Sequence, residues 1–266
     1  MREEEISEHL STKWLGRKRK VYGETDSTNV RARQAAKEGE EQGLVILAES
    51  QTEGRGRRGR VWQSRYGENI YMTMLLRPSF EAEKAPMLTL LAACAVLRAI
   101  RICAKKEVDV RIKWPNDLVI NGKKVCGILT EMTLKDQKPD SVLVGIGVNC
   151  NQTEFEKELL NTATSLKTES GHEICREDMV CRILQEFEVL YEEFKKRENL
   201  SFIKDEYEKY LVNLGRKVCV LEPGHEWIGV AAGIADTGEL IVKTQGGEIR
   251  KVTSGEVSVR GIYGYV

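Results

Sequence analysis

A change of pattern at Gly215 restricts the fold more than any other feature of this chain. Upstream, runs with the helical spacing of apolar residues alternate with extended, strand-like runs, and no internal repeat organises them. Downstream the expected elements are short strands only: Lys217 to Leu221, Ile228 to Ile234, Glu239 to Thr244 and Glu248 to Thr253, with turns at Asp236-Thr-Gly238 and Gly246-Gly247. The expected architecture is α+β over residues 1–215, followed by a small β-barrel over 216–266. With 266 residues, 41% of them hydrophobic, the chain can bury one large core and one small one.

Within the first part, Met179, Val180, Ile183, Leu184, Phe187, Leu190, Tyr191 and Phe194 recur at spacings of three and four, which predicts an amphipathic helix over Arg176 to Arg197. A second, shorter helix follows and ends at Gly215. Pro86 suits the first turn of an apolar helix that ends near Ala104. A helix is expected over Glu3 to Leu10, and another opens within Glu24 to Asn29, with Ser27 or Thr28 placed to cap it and Gly39 to stop it. Strands are expected over Lys18 to Tyr22, Leu44 to Glu49, Asn69 to Leu76, Val108 to Lys113, Leu118 to Ile120, Val125 to Glu131 and Val142 to Asn149. Between two of them, Asn121-Gly122 is a strong hairpin signal.

Charge and composition then remove several classes of function. Lysine plus arginine number 41, as do aspartate plus glutamate, so a generally basic surface for nucleic acid is unavailable and any basic site must be local. The first twenty residues carry both charge signs and no apolar core, which is not a secretory signal. The apolar tract Met87 to Leu97 is short of the roughly 20 residues a membrane span needs, so no membrane association and a cytoplasmic location are expected. The seven scattered cysteines form no C-x-x-C pair, and His9, His172 and His225 form no metal motif. Reduced thiols and no protein-ligated metal are expected.

The local basic site is Gly54-Arg-Gly-Arg-Arg-Gly59, followed by Arg60. It satisfies G-x-G-x-x-G, but Val61 to Ser64 continue in extended fashion instead of opening a helix, which argues against a dinucleotide fold. The V-A-I-K, H-R-D and D-F-G segments of a kinase do not occur. An RGG-like RNA segment would sit in a disordered tail, not between two apolar strands. What remains is an anion-holding loop of a small-molecule site: glycines let backbone N–H groups approach a ligand, and Arg55, Arg57, Arg58 and Arg60 add four cations. Alternation favours Arg55 and Arg57 as the pair that points inward.

Lys113-Trp-Pro-Asn-Asp117 is the second constellation. Lys113 ends a strand before a rigid turn, where a held point charge can neutralise a carboxylate or charge developing at phosphorus. Trp114 reads as packing. Asn116 and Asp117 hold the turn by local hydrogen bonds, or Asp117 meets a magnesium ion. Third, Ser27, Thr28 and Asn29 offer more polar groups than one cap needs, and Gln51 offers both a donor and an acceptor, as a buried cyclic urea or amide requires.

Together these residues resemble a biotin protein ligase. The resemblance rests on DSTN (26–29), AESQTEGRGRRGRVWQS (48–64), ENIYMT (68–73), KWPNDLVINGKKVCGILTE (113–131), GIGVNCN (145–151), ATSL (163–166) and SGEVSVRG (254–261), in the family's order along nearly the whole chain. It implies a catalytic domain like those of class II aminoacyl-tRNA synthetases, then an SH3-like barrel. The implied reaction joins biotin and MgATP into biotinyl-5′-adenylate and passes the biotinyl group to a lysine of a biotin carboxyl carrier domain. A lipoate or octanoyl transferase of the same superfamily would carry an R-R-x-x-G-G-G-type segment, which does not occur.

Carried onto matching positions, the resemblance implies that Ser27, Thr28, Asn29 and Gln51 bind biotin, with Arg55, Gly56, Arg57, Lys113 and Gly127. Gly54, Arg55, Gly56, Arg57, Arg58, Gly59, Arg60, Trp62 and Asn149 would bind the adenylate. Lys113 and Arg57 are the expected catalytic cations, magnesium arrives with ATP, and no general base stands out. Some twenty residues precede Tyr22, against about sixty for the helix-turn-helix of bifunctional members, so the chain reads as monofunctional, without operator binding. Edge strands leave room for a homodimer. The readings set against it are a nucleic-acid-binding regulator and an inactive biotin sensor.

Overall fold

The computed structural model describes residues 1–104, 108–222, 225–254 and 258–261. Its larger part contains helix α1 (Glu3–His9), strand β1 (Arg19–Thr25), helix α2 (Thr28–Lys37), strands β2 (Val45–Gln51) and β3 (Ile70–Leu76), and helix α3 (Met87–Cys103). Strands β4 (Val110–Lys113), β5 (Asp117–Ile120), β6 (Lys123–Lys135) and β7 (Lys138–Val148) follow, then helices α4 (Leu166–Ser170), α5 (Arg176–Arg197) and α6 (Lys204–Tyr210). The seven strands form one sheet in the order β1-β2-β3-β7-β6-β5-β4, in which only β1 and β2 run parallel.

Both faces of this sheet are covered, which is why β2 and β3 are buried along nearly their whole length. On one face α3 packs on β4, β5, β6 and β7 with α5 against it, in one core with Val45, Leu47, Met72 and Met74. On the other, α2 presents Ala32, Ala35 and Ala36 to Leu44, Ile46, Leu75 and Leu143. By length and composition the segment Ala82–Cys103 would suffice to cross a membrane, more than the shorter tract read in the sequence. Thirteen of the seventeen residues of α3 are buried within the protein, however, which makes it a core helix.

Strands β8 (Lys217–Glu222), β9 (His225–Ile234), β10 (Leu240–Thr244), β11 (Ile249–Val252) and β12 (Ser258–Gly261) form the second, antiparallel sheet, ordered β11-β10-β9-β8-β12. Four of these match the sequence pattern; β12 has too short a run to stand out. The helix expected to end at Gly215 stops at Tyr210 instead, and an irregular stretch leads from there to β8. The second sheet shares the main core through Val218, Val220, Ala231 and Ile234. Across the junction, the Trp114 indole donates to the Gly238 carbonyl at 3.0 Å and the Ile234 amide donates to Glu208 Oε1 at 2.8 Å.

Local chemistry accounts for several turns. Asn121 and Gly122 adopt φ values of 50° and 76°, the paired positive angles of a two-residue hairpin turn between β5 and β6. All seven cysteines are unpaired, and burial pushes the Cys103 and Cys181 thiols up to about 11 and those of Cys94, Cys126 and Cys150 further, so they stay protonated at neutral pH.

Candidate active site

The ten-residue helix α2 is too short to cover its whole face of the sheet. Beyond its N-terminus the face is floored by Gly145 and Gly147 of β7 and Gly127 of β6, which lie on one side because residues two apart share a face and Gly127 pairs with Gly147. A Cβ at Gly145 would stand 2.1 Å from Asn29 Oδ1, at Gly147 2.6 Å from the Trp62 ring, and at Gly127 2.7 Å from the same ring. Glycine in a strand interior here serves close approach. Ser27, Thr28, Asn29, Gln51, Tyr71, Arg55, Gly56 and Arg57 wall this inner pocket, whose free volume is about 50 Å³ because the Trp62 indole rests on the floor.

Ser27 occupies the cap position of α2, but its hydroxyl does not cap, contrary to expectation. Gln51 does that work from the end of β2: its Oε1 accepts the Thr28 amide at 2.8 Å and lies 3.2 Å from the Thr28 hydroxyl. This fixes the carboxamide, leaving Nε2 toward Ser64 Oγ at 3.4 Å. Asp26 accepts the Ser27 amide at 2.6 Å and grips Arg31. Partial burial opposes the Asp26 charge, but these partners hold its carboxyl below the usual range.

The glycine-arginine loop folds over the pocket mouth. Arg55 bridges to Val61, and Arg57–Gly59 form a single tight helical turn in which Arg58 takes a left-handed φ of 58°. Arg57 points inward, half-buried, donating to Asn116 Oδ1 at 3.0 Å and to the Ser254 carbonyl of the second sheet's module. Burial pushes its guanidinium below the ordinary value while Asp117 opposes the shift, and arginine remains charged throughout. Arg55 lines the inner mouth from an exposed position; Arg58 and Arg60 face a second, outer cavity.

That outer cavity, about 520 Å³, falls in the range of cofactor and small-ligand sites. Lys113, buried at the end of β4, lines it with Trp114, Asn149 and Val259. Asn149 is tied into the wall, its Nδ2 donating to the Thr164 carbonyl at 3.0 Å. Among the described residues, the side chains of Asn116 and Asp117 reach partners beyond the turn, where local bonds were expected. Asn116 spans from Arg57 to the Ile128 carbonyl, 3.0 Å from its Nδ2, and Asp117 pairs with Lys124 at 2.6 Å. Both side chains thus tie the turn to the adjacent β6 and to the loop.

Gly56, Arg57, Trp62, Asn116 and Lys124 line both cavities and form the seam between them. Lys124 is the residue the sequence reading passed over. Its ammonium lies 5.3 Å from the centre of the Trp62 ring, beside the Asp117 carboxylate. Gly145 and Gly147 were visible as a G-x-G inside an apolar strand, a pattern that marks an approached face.

Two cavities meeting at a seam that carries Arg57 and Lys124 can receive two ligands side by side around a shared negative charge, as a ligase site requires. Comparison with known proteins agrees: residues 22–149 match the biotin/lipoate A/B protein ligase family and residues 214–260 the biotin protein ligase C-terminal domain. The bifunctional ligase/repressor BirA of Bacillus spizizenii is 39% identical over 97% of this chain and 78% of that protein. The biotin–[acetyl-CoA-carboxylase] ligase of Paracoccus denitrificans is 32% identical over 85% of this chain and 95% of that protein. A biotin protein ligase from Aquifex aeolicus, solved in complex with biotin and ATP, superposes with a TM-score of 0.79 at 30% identity, over 92% of this chain and 99% of that one. The chain belongs to the biotin protein ligase family, with its class II synthetase-like catalytic domain and SH3-like C-terminal domain.

Proposed function

We propose that this protein activates biotin with ATP to biotinyl-5′-adenylate and transfers the biotinyl group to a lysine of a biotin carboxyl carrier domain. The observation that carries this reading is the seam: a ring on the glycine floor would send its carboxylate tail past Arg57 and Lys124 toward the outer cavity, where a nucleotide fits. The inner pocket of about 50 Å³ is too small for a bicyclic ring, so the ring takes the place of the Trp62 indole, which then flanks the adenylate.

In the first step a carboxylate oxygen attacks the α-phosphorus and the bond to pyrophosphate breaks. Both partners are anionic, and Lys113, Lys124 and Arg57, with the magnesium that accompanies ATP, offset the repulsion and the charge that develops. Ser27, Thr28 and Gln51 hold the ureido ring, with Asn29 behind Thr28 and Thr73, so positioning supplies much of the acceleration. In the second step a neutral lysine amine attacks the acyl carbon, AMP leaves, and the amine's proton passes to water. Biotin-dependent exchange of labelled pyrophosphate into ATP tests the reading; folded protein that shows none overturns it.

The same geometry predicts the behaviour of an Arg57→Ala variant. Without the ties from Arg57 to Asn116 and Ser254, the loop opens and biotinyl-adenylate escapes. Mass spectrometry of a bystander protein is expected to show at least tenfold more labelled lysines than with the wild type.

This reading takes residues 1–215 as the catalytic unit and 216–266 as the C-terminal module, in a cytoplasmic enzyme. For these 266 residues we propose ligase activity without operator binding, since the 41 basic and 41 acidic side chains leave no broad positive surface; gel shift on operator DNA tests this. A homodimer would pair through β1: the other edge of the sheet, β4, is partly covered by the bridge from Ile112 to Leu211.

A further inference from the structure

From Thr28 in the wall of the inner pocket a chain of polar groups runs back to the outer edge of the sheet. Arg33 Nη2 donates to Glu131 Oε1 at 2.6 Å, and Glu131 Oε2 accepts from Asn29 Nδ2 at 2.6 Å. Asn29 Oδ1 is 2.6 Å from the Thr73 hydroxyl, which is 2.9 Å from the Thr28 hydroxyl in the pocket wall. Asn29, Thr73 and Thr28 are all buried, whereas Glu131 and Arg33 lie at the partly exposed outer end.

Each link restricts the next. A carboxylate ion-paired with Arg33 can only accept, so it turns the amide nitrogen of Asn29 toward itself and the oxygen toward Thr73. That oxygen only accepts, so the single Thr73 proton goes to it, and none remains for Thr28. The Thr28 proton is spent on Gln51 Oε1 at 3.2 Å, and its lone pairs are what the hydroxyl has left to offer a ligand. Without Glu131 the Asn29 carboxamide can rotate and turn an N–H toward Thr73, so that the Thr73 proton falls on Thr28 Oγ1 at 2.9 Å and occupies a lone pair that a ligand would use.

We propose that Glu131 is a positioning residue that sets the hydrogen-bond polarity of the pocket wall, so that Thr28 Oγ1 accepts from a ring N–H of the substrate. This deepens the biotin reading and rests on it. Glu131 touches no substrate itself; the specificity it confers is for a cyclic urea over a ring of the same shape that lacks N–H donors. A site built to pair a buried donor rejects the analogue that lacks it far more strongly than it rejects a change in size.

The test is calorimetric biotin binding, with steady-state kinetics, on the full chain. Glu131→Leu is expected to raise the biotin Kd and KM by about tenfold or more, with KM for ATP unchanged and kcat at saturating biotin within about threefold. Preference for biotin over its cyclic-carbonate analogue, in which oxygen replaces both ring nitrogens, is expected to fall at least tenfold. Asn29→Asp sets two carboxylates against each other and is expected to bind biotin worse than Glu131→Leu does. Adding Glu131→Gln restores a donor opposite the new carboxylate and is expected to recover binding to within about threefold of wild type.

Should Glu131→Leu fail to fold, the comparison of the single Asn29→Asp variant with the double variant decides. Unchanged biotin affinity and unchanged analogue preference in Glu131→Leu overturn the proposal, as does a double variant no better than Asn29→Asp. Wild-type protein that binds no biotin overturns the ligase reading itself, a result distinct from either of these.

Discussion

Lys124→Met is expected to lower biotin-dependent pyrophosphate exchange by a factor of about a thousand, the larger end of what loss of one preorganised charge costs. Lys124 lines both cavities, so its ammonium stands where a carboxylate and an α-phosphate would converge, and Asp117 at 2.6 Å holds it there. Removing the charge also leaves Asp117 beside an apolar chain, so some loss of stability accompanies the change. Lys124→Arg, which keeps the charge, is therefore expected to melt close to wild type while recovering only part of the rate, because a fork cannot replace a point charge in the same space. Lys113→Ala is also expected to slow adenylate formation by orders of magnitude. Lys113 lines the outer cavity alone, so its loss is expected to raise KM for ATP more than KM for biotin. Wild-type exchange by a folded Lys124→Met protein would remove this lysine from the mechanism.

Gly145→Ala is expected to weaken biotin binding by about a hundredfold while leaving ATP binding close to wild type. The new methyl group would stand 2.1 Å from Asn29 Oδ1 and 3.2 Å from its Nδ2, and that carboxamide is itself held by Glu131 and Thr73. Overpacking of this kind costs about 1–3 kcal/mol, and here the strain falls on the group that orients the pocket wall. Isothermal titration of each ligand separately is the measurement, and an unaltered biotin Kd would show that Asn29 can yield without consequence. Gly147→Ala is the milder counterpart, because the group it meets is the Trp62 ring, which the ligand displaces in any case.

How much of this was legible beforehand follows from what kind of signal each residue carries. The helix over Arg176–Arg197 was read to the residue because eleven of its side chains are buried in an unbroken 3.6-residue pattern. The hairpin at Asn121-Gly122 was legible for the opposite reason: its backbone angles restrict the sequence locally. The arginine loop and the Lys113-Trp-Pro-Asn-Asp117 turn stood out as unusual strings, and both reached the site. Lys124 did not stand out. It follows another lysine after a hairpin turn, and only the register of β5 against β6 brings it to Asp117 and the seam. The Ser27 cap failed likewise, because the acceptor that serves α2 comes from Gln51, twenty-three residues away. Glu131 ends a recognisable string, but its link to Asn29 crosses 102 residues of chain, and nothing local records it.

The C-terminal module is attached through groups that also build the site. Trp114, at the turn that follows Lys113, is pinned to Gly238; Arg57 is tied to Ser254; and Val259 lines the nucleotide-sized cavity. Occupancy of that cavity and the opening of β8 and β9 are consequently linked equilibria. A ligand present at a hundred times its Kd adds about 2.7 kcal/mol to the state that binds it. Amide hydrogens of β8 and β9, none of which lines either cavity, are therefore expected to exchange with deuterium about a hundredfold more slowly when biotinyl-adenylate is bound, in step with those of β6 and β7. The small sheet thus reports, from outside the pocket, on whether the pocket is filled.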